Sequence, residues 1–151
     1  MIFGKARKSD LVEILKLVEK DFSYTGFDRK KLEQRLSDSD LAVFRLSLGK
    51  RLAGFSEIEF FDDGSARLNA ISVAEELRGR DLGKKLLDLT VRELRKTDVE
   101  RVFLLVKRDN VIAKNLYAQC GFRFAGLHDR TIDNSAIERM ELEINPEMIA
   151  N

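Results

Sequence analysis

The chain has 151 residues, 44% of them hydrophobic, which suits one domain that folds by burying its own core. Its 27 Lys and Arg nearly balance 26 Asp and Glu, which speaks against a nucleic-acid partner, since such binders carry a basic excess. No apolar run approaches a membrane span, the N-terminus lacks a signal peptide's apolar stretch, and one cysteine (Cys120) with one histidine excludes an internal disulfide and an ordinary zinc centre.

Ile2 to Ala6 reads as a short first strand. Ser9 or Asp10 is a good N-cap, and Leu11, Ile14, Leu15, Val18 and Phe22 then mark one face of an amphipathic helix. Ser23 to Phe27, with Tyr24 and Gly26, reads as a loop, and Asp28 caps a second helix through about Leu36. Leu41 to Leu48 and Arg51 to Phe61 read as a hairpin turning at Gly49 and Lys50. Asp62, Asp63 and Gly64 form the next turn, and Arg67 to Val73 the next strand. Glu57 and Glu59 alternate with apolar residues and read as a solvated face, whereas Phe44, Phe55, Phe60 and Phe103 read as core.

Arg78 to Gly83 is a basic turn, and from it Leu82, Leu86, Leu87, Val91 and Leu94 fall on one helical face. Val102 to Val106 is an unbroken apolar run, as expected of a central strand covered on both faces. With the strand before the helix it forms a βαβ unit with parallel strands. Asp109 or Asn110 caps a helix ended by Gly121. Phe122 to Ile132 and Ile137 to Ile144 make a last hairpin through Asp133, Asn134 and Ser135. The order β-α-α-β-β-β-α-β-α-β-β predicts an α/β fold with a mixed central sheet and helices on both faces, in one domain spanning 1–151.

A glycine turn that opens a helix leaves backbone N–H groups unpaired at the positive end of the helix dipole, which suits an anion such as phosphate. Arg78, Arg80, Lys84 and Lys85 add charge there. The P-loop pattern and the dinucleotide fingerprint are both absent. Arg78, Gly79, Arg80, Asp81, Leu82 and Gly83 instead resemble the acyl-CoA-binding turn Q/R-x-x-G-x-G/A of the GCN5-related N-acetyltransferase (GNAT) superfamily, with Asp81 where the pattern has its first glycine. Asn110, Ala113, Leu116, Tyr117, Gly121 and Phe122 match that family's second block, N-x-x-A-x-x-L-Y-x-x-x-G-F, at every position. The order of elements matches as well.

The resemblance implies acetyl-CoA as cosubstrate, without a metal, and direct acetyl transfer to a primary amine. It implies that the strands flanking the long helix splay apart. Backbone groups of Ile71 and Val73 then pair with the pantetheine arm, and the N–H groups from Arg78 through Gly79, Arg80, Asp81, Leu82 and Gly83 to Lys84 hold the pyrophosphate. Asn110 sits near the pantetheine, and Tyr117 near the thioester sulfur, where its phenol can protonate the leaving thiolate. An essential acid of that kind predicts a falling alkaline limb in the rate profile. A strand N–H can stabilise the oxyanion.

Asp81 places a carboxylate near the pyrophosphate, but Asp tolerates a left-handed backbone better than most residues, so the turn shape can survive. The glutamates that relatives use as general base are replaced by Arg67 and Leu105, leaving Glu57, Glu59 and Glu138 as substitutes acting through water. His128 reads as a hairpin surface residue and Cys120 as packing beside a helix end. Relatives that acetylate protein N-termini carry tyrosines near the last hairpin. Arg130 and Thr131 stand there in this chain, so a small amine is favoured over a peptide N-terminus or a lysine. The setting is expected to be cytoplasmic, and pairing of two copies through an exposed sheet edge, a homodimer, is compatible with it. The alternative is an acyl-CoA-binding regulatory module without turnover.

Overall fold

The computed structural model describes residues 1–21, 29–132 and 134–145. The expected helix position Phe22, the loop Ser23 to Phe27, the cap Asp28 and the turn residue Asp133 lie outside them. The elements are β1 (Ile2–Lys5), α1 (Leu11–Asp21), α2 (Arg29–Ser37), β2 (Leu41–Leu48), β3 (Arg51–Phe60), β4 (Ser65–Val73), α3 (Leu82–Leu94), β5 (Arg101–Lys107), α4 (Val111–Gln119), β6 (Arg123–Ile132) and β7 (Ser135–Glu143). Single 3-10 turns over Lys8–Asp10 and Glu75–Leu77 precede α1 and α3. The seven strands are ordered β1-β2-β3-β4-β5-β7-β6. No helix among the described residues is long and apolar enough to cross a membrane.

Contacts divide the chain into two compact units, Met1–Glu59 with Asn69–Thr90, and Phe60–Leu68 with the chain from Val91 on. In the first, β1 pairs antiparallel with β2, and β2 with β3 through the two-residue turn at Gly49 and Lys50. Leu11 and Ile14 of α1, Leu32 of α2, Leu46, Ala53, Phe55 and Leu86 form its core. The α1 face follows the 3.6-residue period of its apolar positions. Asp10 does not cap α1 as expected. Its carboxylate turns back to accept the Arg7 N–H at 2.8 Å, closing the 3-10 turn, and pairs with Arg45 Nε at 3.2 Å.

β4 and β5 run parallel, confirming the βαβ reading, and their paired residues lie in the second unit. Their ladder joins Ser65–Arg67 to Arg101–Phe103, and β4 runs six residues past its end, from Leu68 to Val73. β5 pairs antiparallel with β7, and β7 with β6. The expectation that β5 is covered on both faces is corrected. Val102, Leu104 and Val106 are buried, whereas Phe103 and Leu105 are only partly so. The Phe103 ring stacks on Phe61 and carries the Arg139 guanidinium 4.0 Å from its centroid. A face closed by an aromatic pair and a cation accepts the same apolar residues as a fully covered one. Along β6, nine of the ten residues are exposed.

Candidate functional site

The turn that opens α3 takes the predicted shape. Gly79 has φ +81° and Asp81 φ +58°. Two left-handed residues flank Arg80 between the 3-10 turn and the helix, a conformation open to Gly without strain and to Asp at modest cost. The Lys85 N–H bonds the Asp81 carbonyl at 3.0 Å, the first helical bond of α3. The N–H groups of Asp81, Leu82, Gly83 and Lys84 therefore have no intrahelical acceptor and lie at the positive end of a 13-residue helix. Arg78, Gly79, Arg80, Asp81, Lys84 and Lys85 are exposed, and Leu82 and Gly83 are partly buried. Such a cradle can take a doubly charged oxyanion. The Asp81 carboxylate forms no ion pair among the described residues, so its charge is not neutralised by Arg78 or Arg80. Lys84 lies 3.9 Å from Asp88, a helical i,i+4 pair.

Arg78 also ties the turn to the strand before it. Its Nε donates to the Val73 carbonyl at 3.0 Å. Val73 is buried and Ile71 partly buried in the last part of β4, beyond the β5 ladder.

On α4, Asn110 is the cap. Its Oδ1 accepts the Ala113 N–H at 3.2 Å, so of the two expected caps Asn110 serves. Tyr117 is partly buried and meets Phe122 edge to face, with ring centroids 6.0 Å apart. Burial pushes its phenol up to about 12, because the phenolate would lose water. The hydroxyl makes no hydrogen bond to the described residues, so it is not committed to a structural role. Cys120 is the partly buried C-cap residue before Gly121, and His128 is exposed as expected, with its Nδ1 accepting the Arg130 N–H at 3.2 Å.

The carboxylates depart from expectation. Glu57 is not on a solvated face. It is 6% exposed, with Arg35 Nη1 2.8 Å and Asn69 Nδ2 3.1 Å from its Oε2. Asn69 also donates to Glu59 at 3.1 Å. Sequence reasoning missed Asn69 and Arg35. The available signal was that a carboxylate on a strand flanked by helices requires a partner when covered. Glu59 lines a cavity of about 580 Å³ together with Lys31, Gln34, Arg35, Asp38, Asp40 and Leu41. Glu138 is buried, with Lys114 Nζ 2.7 Å from Oε2 and Arg108 Nε 3.4 Å from Oε1. The Lys114 contact first, and Arg108 after it, hold this carboxyl below its usual range despite burial.

Comparison with known proteins bears on this arrangement. Residues 11–122 match the model of the acetyltransferase (GNAT) family. The mycothiol acetyltransferase of Corynebacterium efficiens is 31% identical over 106 residues, covering 68% of this chain and 36% of that protein. The chain thus spans about a third of that relative's length. The Escherichia coli ribosomal-protein-S18-alanine N-acetyltransferase superposes with a TM-score of 0.81 at 22% identity, over 95% of this chain and 93% of that one. The PaiA N-acetyltransferase of Thermoplasma acidophilum, solved in complex with coenzyme A, gives 0.78 at 19% identity, over 94% and 98%. At those identities the two structures speak for the fold. With the family model covering most of its length, the chain belongs to the acetyltransferase (GNAT) family.

Proposed function

We propose that the protein is an acetyl-CoA-dependent N-acetyltransferase that acts on a small primary amine by direct transfer. The observation that carries this is the turn over Arg78 to Lys84. Its two left-handed residues and the unpaired N–H groups at the start of α3 suit the cofactor's pyrophosphate. Ile71 and Val73 offer backbone groups to the pantetheine arm on the part of β4 that extends past the β5 ladder. The family resemblance assigns Asn110 to the neighbourhood of the pantetheine.

The chemistry is a direct displacement. The amine nitrogen attacks the thioester carbonyl, the C–S bond breaks, and the coenzyme thiolate leaves. The Val73 N–H stabilises the oxyanion, and the Tyr117 hydroxyl gives its proton to the thiolate. The amine releases its proton to water, and water returns one to the Tyr117 phenolate, so the turnover leaves free thiol, amide and the phenol as it began. Holding two substrates together supplies much of the rate. The carboxylates of Asp38, Asp40 and Glu59 outnumber Lys31 and Arg35 around the cavity they share, which favours a cationic amine by a small margin. The ribosomal-protein-alanine and spermidine acetyltransferases that share the fold bracket the choice between a peptide terminus and a small amine.

A second reading, a sensor that binds acyl-CoA without turnover, is favoured by the engagement of Glu57 and Glu138 in ion pairs. Two measurements decide. Acetyl-CoA at a hundredfold excess over its Kd should stabilise the fold by about 2.7 kcal/mol, and Gly83→Val, which blocks backbone approach to phosphate, should abolish that. Thiol release is then followed across an amine panel. Stabilisation with no turnover on any amine establishes the sensor, and no stabilisation by any acyl-CoA removes both readings.

A further inference from the structure

At Gly54 the backbone of β4 lies close against β3. A Cβ built on Gly54 would lie 2.5 Å from the Ser72 carbonyl oxygen, 3.3 Å from the Val73 Cα and 3.2 Å from the Leu86 Cδ2. The first distance is shorter than side chains tolerate, and the β4 atoms are backbone, so no rotamer relieves the clash. Gly54 has no positive φ, so its torsions would accept any residue. The close approach alone requires glycine here.

The neighbouring peptide groups are held as well. The Val73 carbonyl accepts the Arg78 Nε at 3.0 Å, and the Ala74 N–H bonds the Ala53 carbonyl at 2.8 Å. The Ser72–Val73 peptide is thereby fixed against Gly54 on one side and followed by two anchored groups. All peptide bonds described are trans. In a trans peptide the C=O and N–H point in opposite directions. A Ser72 carbonyl directed at Gly54 therefore turns the Val73 N–H away from β3.

We propose that Gly54 is a positioning residue: by letting β4 close onto β3, it aims the Val73 N–H at the acyl thioester. This rests on the proposed function, which gives that N–H to the oxyanion. Gly54→Ala must displace the Ser72–Val73 backbone by roughly half an ångström to bring the 2.5 Å contact to the shortest that Cβ atoms show. Displacements of that order matter at reacting centres, where about 1 Å can cost 10²-fold.

The test uses the full chain with two ligands, acetyl-CoA and 3′-phospho-ADP, the nucleotide end of the cofactor without its pantetheine arm. Gly54→Ala should raise the Kd of acetyl-CoA about tenfold and lower kcat by about 10- to 10²-fold. The Kd of 3′-phospho-ADP and the KM of the amine should stay unchanged. Equal binding and turnover by variant and wild type would overturn the inference, as would an equal loss of both ligands, which would mean general damage. If the variant does not fold, the wild-type amide spectrum decides. The Gly54 and Val73 resonances should move with acetyl-CoA and stay with 3′-phospho-ADP, and their failure to move overturns the inference. A wild type that binds neither ligand removes the function reading itself. A wild type that binds acetyl-CoA beside an unaffected variant removes the role of Gly54 alone.

Discussion

Removing one hydroxyl, in Tyr117→Phe, asks how strong an acid a buried phenol can be. The ring keeps its edge contact with Phe122, so acetyl-CoA affinity should hold within about twofold. The hydroxyl has no partner among the described residues, and its loss should leave stability unchanged or raised. The rate is the informative quantity. A free thiol has a pKa of about 8.5, so a phenol at about 12 gives up its proton uphill by about 3.5 units, near 4.8 kcal/mol. An ordinary phenol at about 10 would face only about 2 kcal/mol. With the proton about half transferred in the transition state, the extra cost is about 1.4 kcal/mol, or tenfold. A general acid is worth 10² to 10⁴, so the variant should lose on the order of 10²-fold in kcat. Burial also corrects the expected pH profile. The phenol stays protonated far into alkali, and any falling limb due to Tyr117 moves to about pH 12. Thiol-release kinetics from pH 7 to 10.5, at saturating acetyl-CoA, provide the assay. A wild-type limb with an apparent pKa below 10 that vanishes in the variant would refute the burial argument. An unchanged kcat would take Tyr117 out of catalysis.

Asp81→Gly removes an unpaired carboxylate beside the proposed pyrophosphate. Taken at about 7 Å in water, each of the two charge pairs is worth about 0.6 kcal/mol, so acetyl-CoA affinity should improve by up to about eightfold at low salt and less at high salt. A clear loss of affinity, measured at two salt concentrations, would mean the carboxylate organises the turn. Glu138, whose carboxyl is held below its ordinary 4.5, contributes stability that is present above that pH and is lost as pH falls through its folded value. Glu138→Gln should therefore flatten the dependence of Tm on pH below about 4.5, and an unchanged acid slope would show that the Lys114 and Arg108 contacts do not persist in solution.

The parts of the fold that could be read from the chain are those whose signal is local. The α3 face is written in Leu86, Leu87, Val91 and Leu94, all buried as their spacing requires. The α4 boundaries follow from Asn110 and Gly121 at its two ends. The left-handed turn at Asp81 was legible because few residues other than Gly accept that backbone, and Asp is one of them. What covers a strand face is not local. The alternation around Glu57 correctly sets it opposite Ser56 and Ile58, but nothing in that alternation reveals Arg35, 22 residues away, closing over it. The same limit applies to β5, where five apolar residues in a row look alike although Phe103 and Leu105 face a thinner cover than Leu104.

The general base shows the consequence for function. Three carboxylates were available by composition, and chemistry asks for one with a pKa near the working pH. The structure ties Glu57 to a guanidinium and Asn69, and sets Glu138 against a lysine and an arginine. Cations stabilise the ionised form of Glu138 and so weaken it as a proton acceptor. Glu59 shares Asn69 with Glu57 and lines the cavity with Asp38 and Asp40, along with Lys31 and Arg35. Carboxylates around a cavity attract an ammonium ion. Under the proposed function Glu59 gathers the amine and the proton passes to water, so the acid limb of kcat/KM should follow the pKa of the amine substrate when the panel is compared.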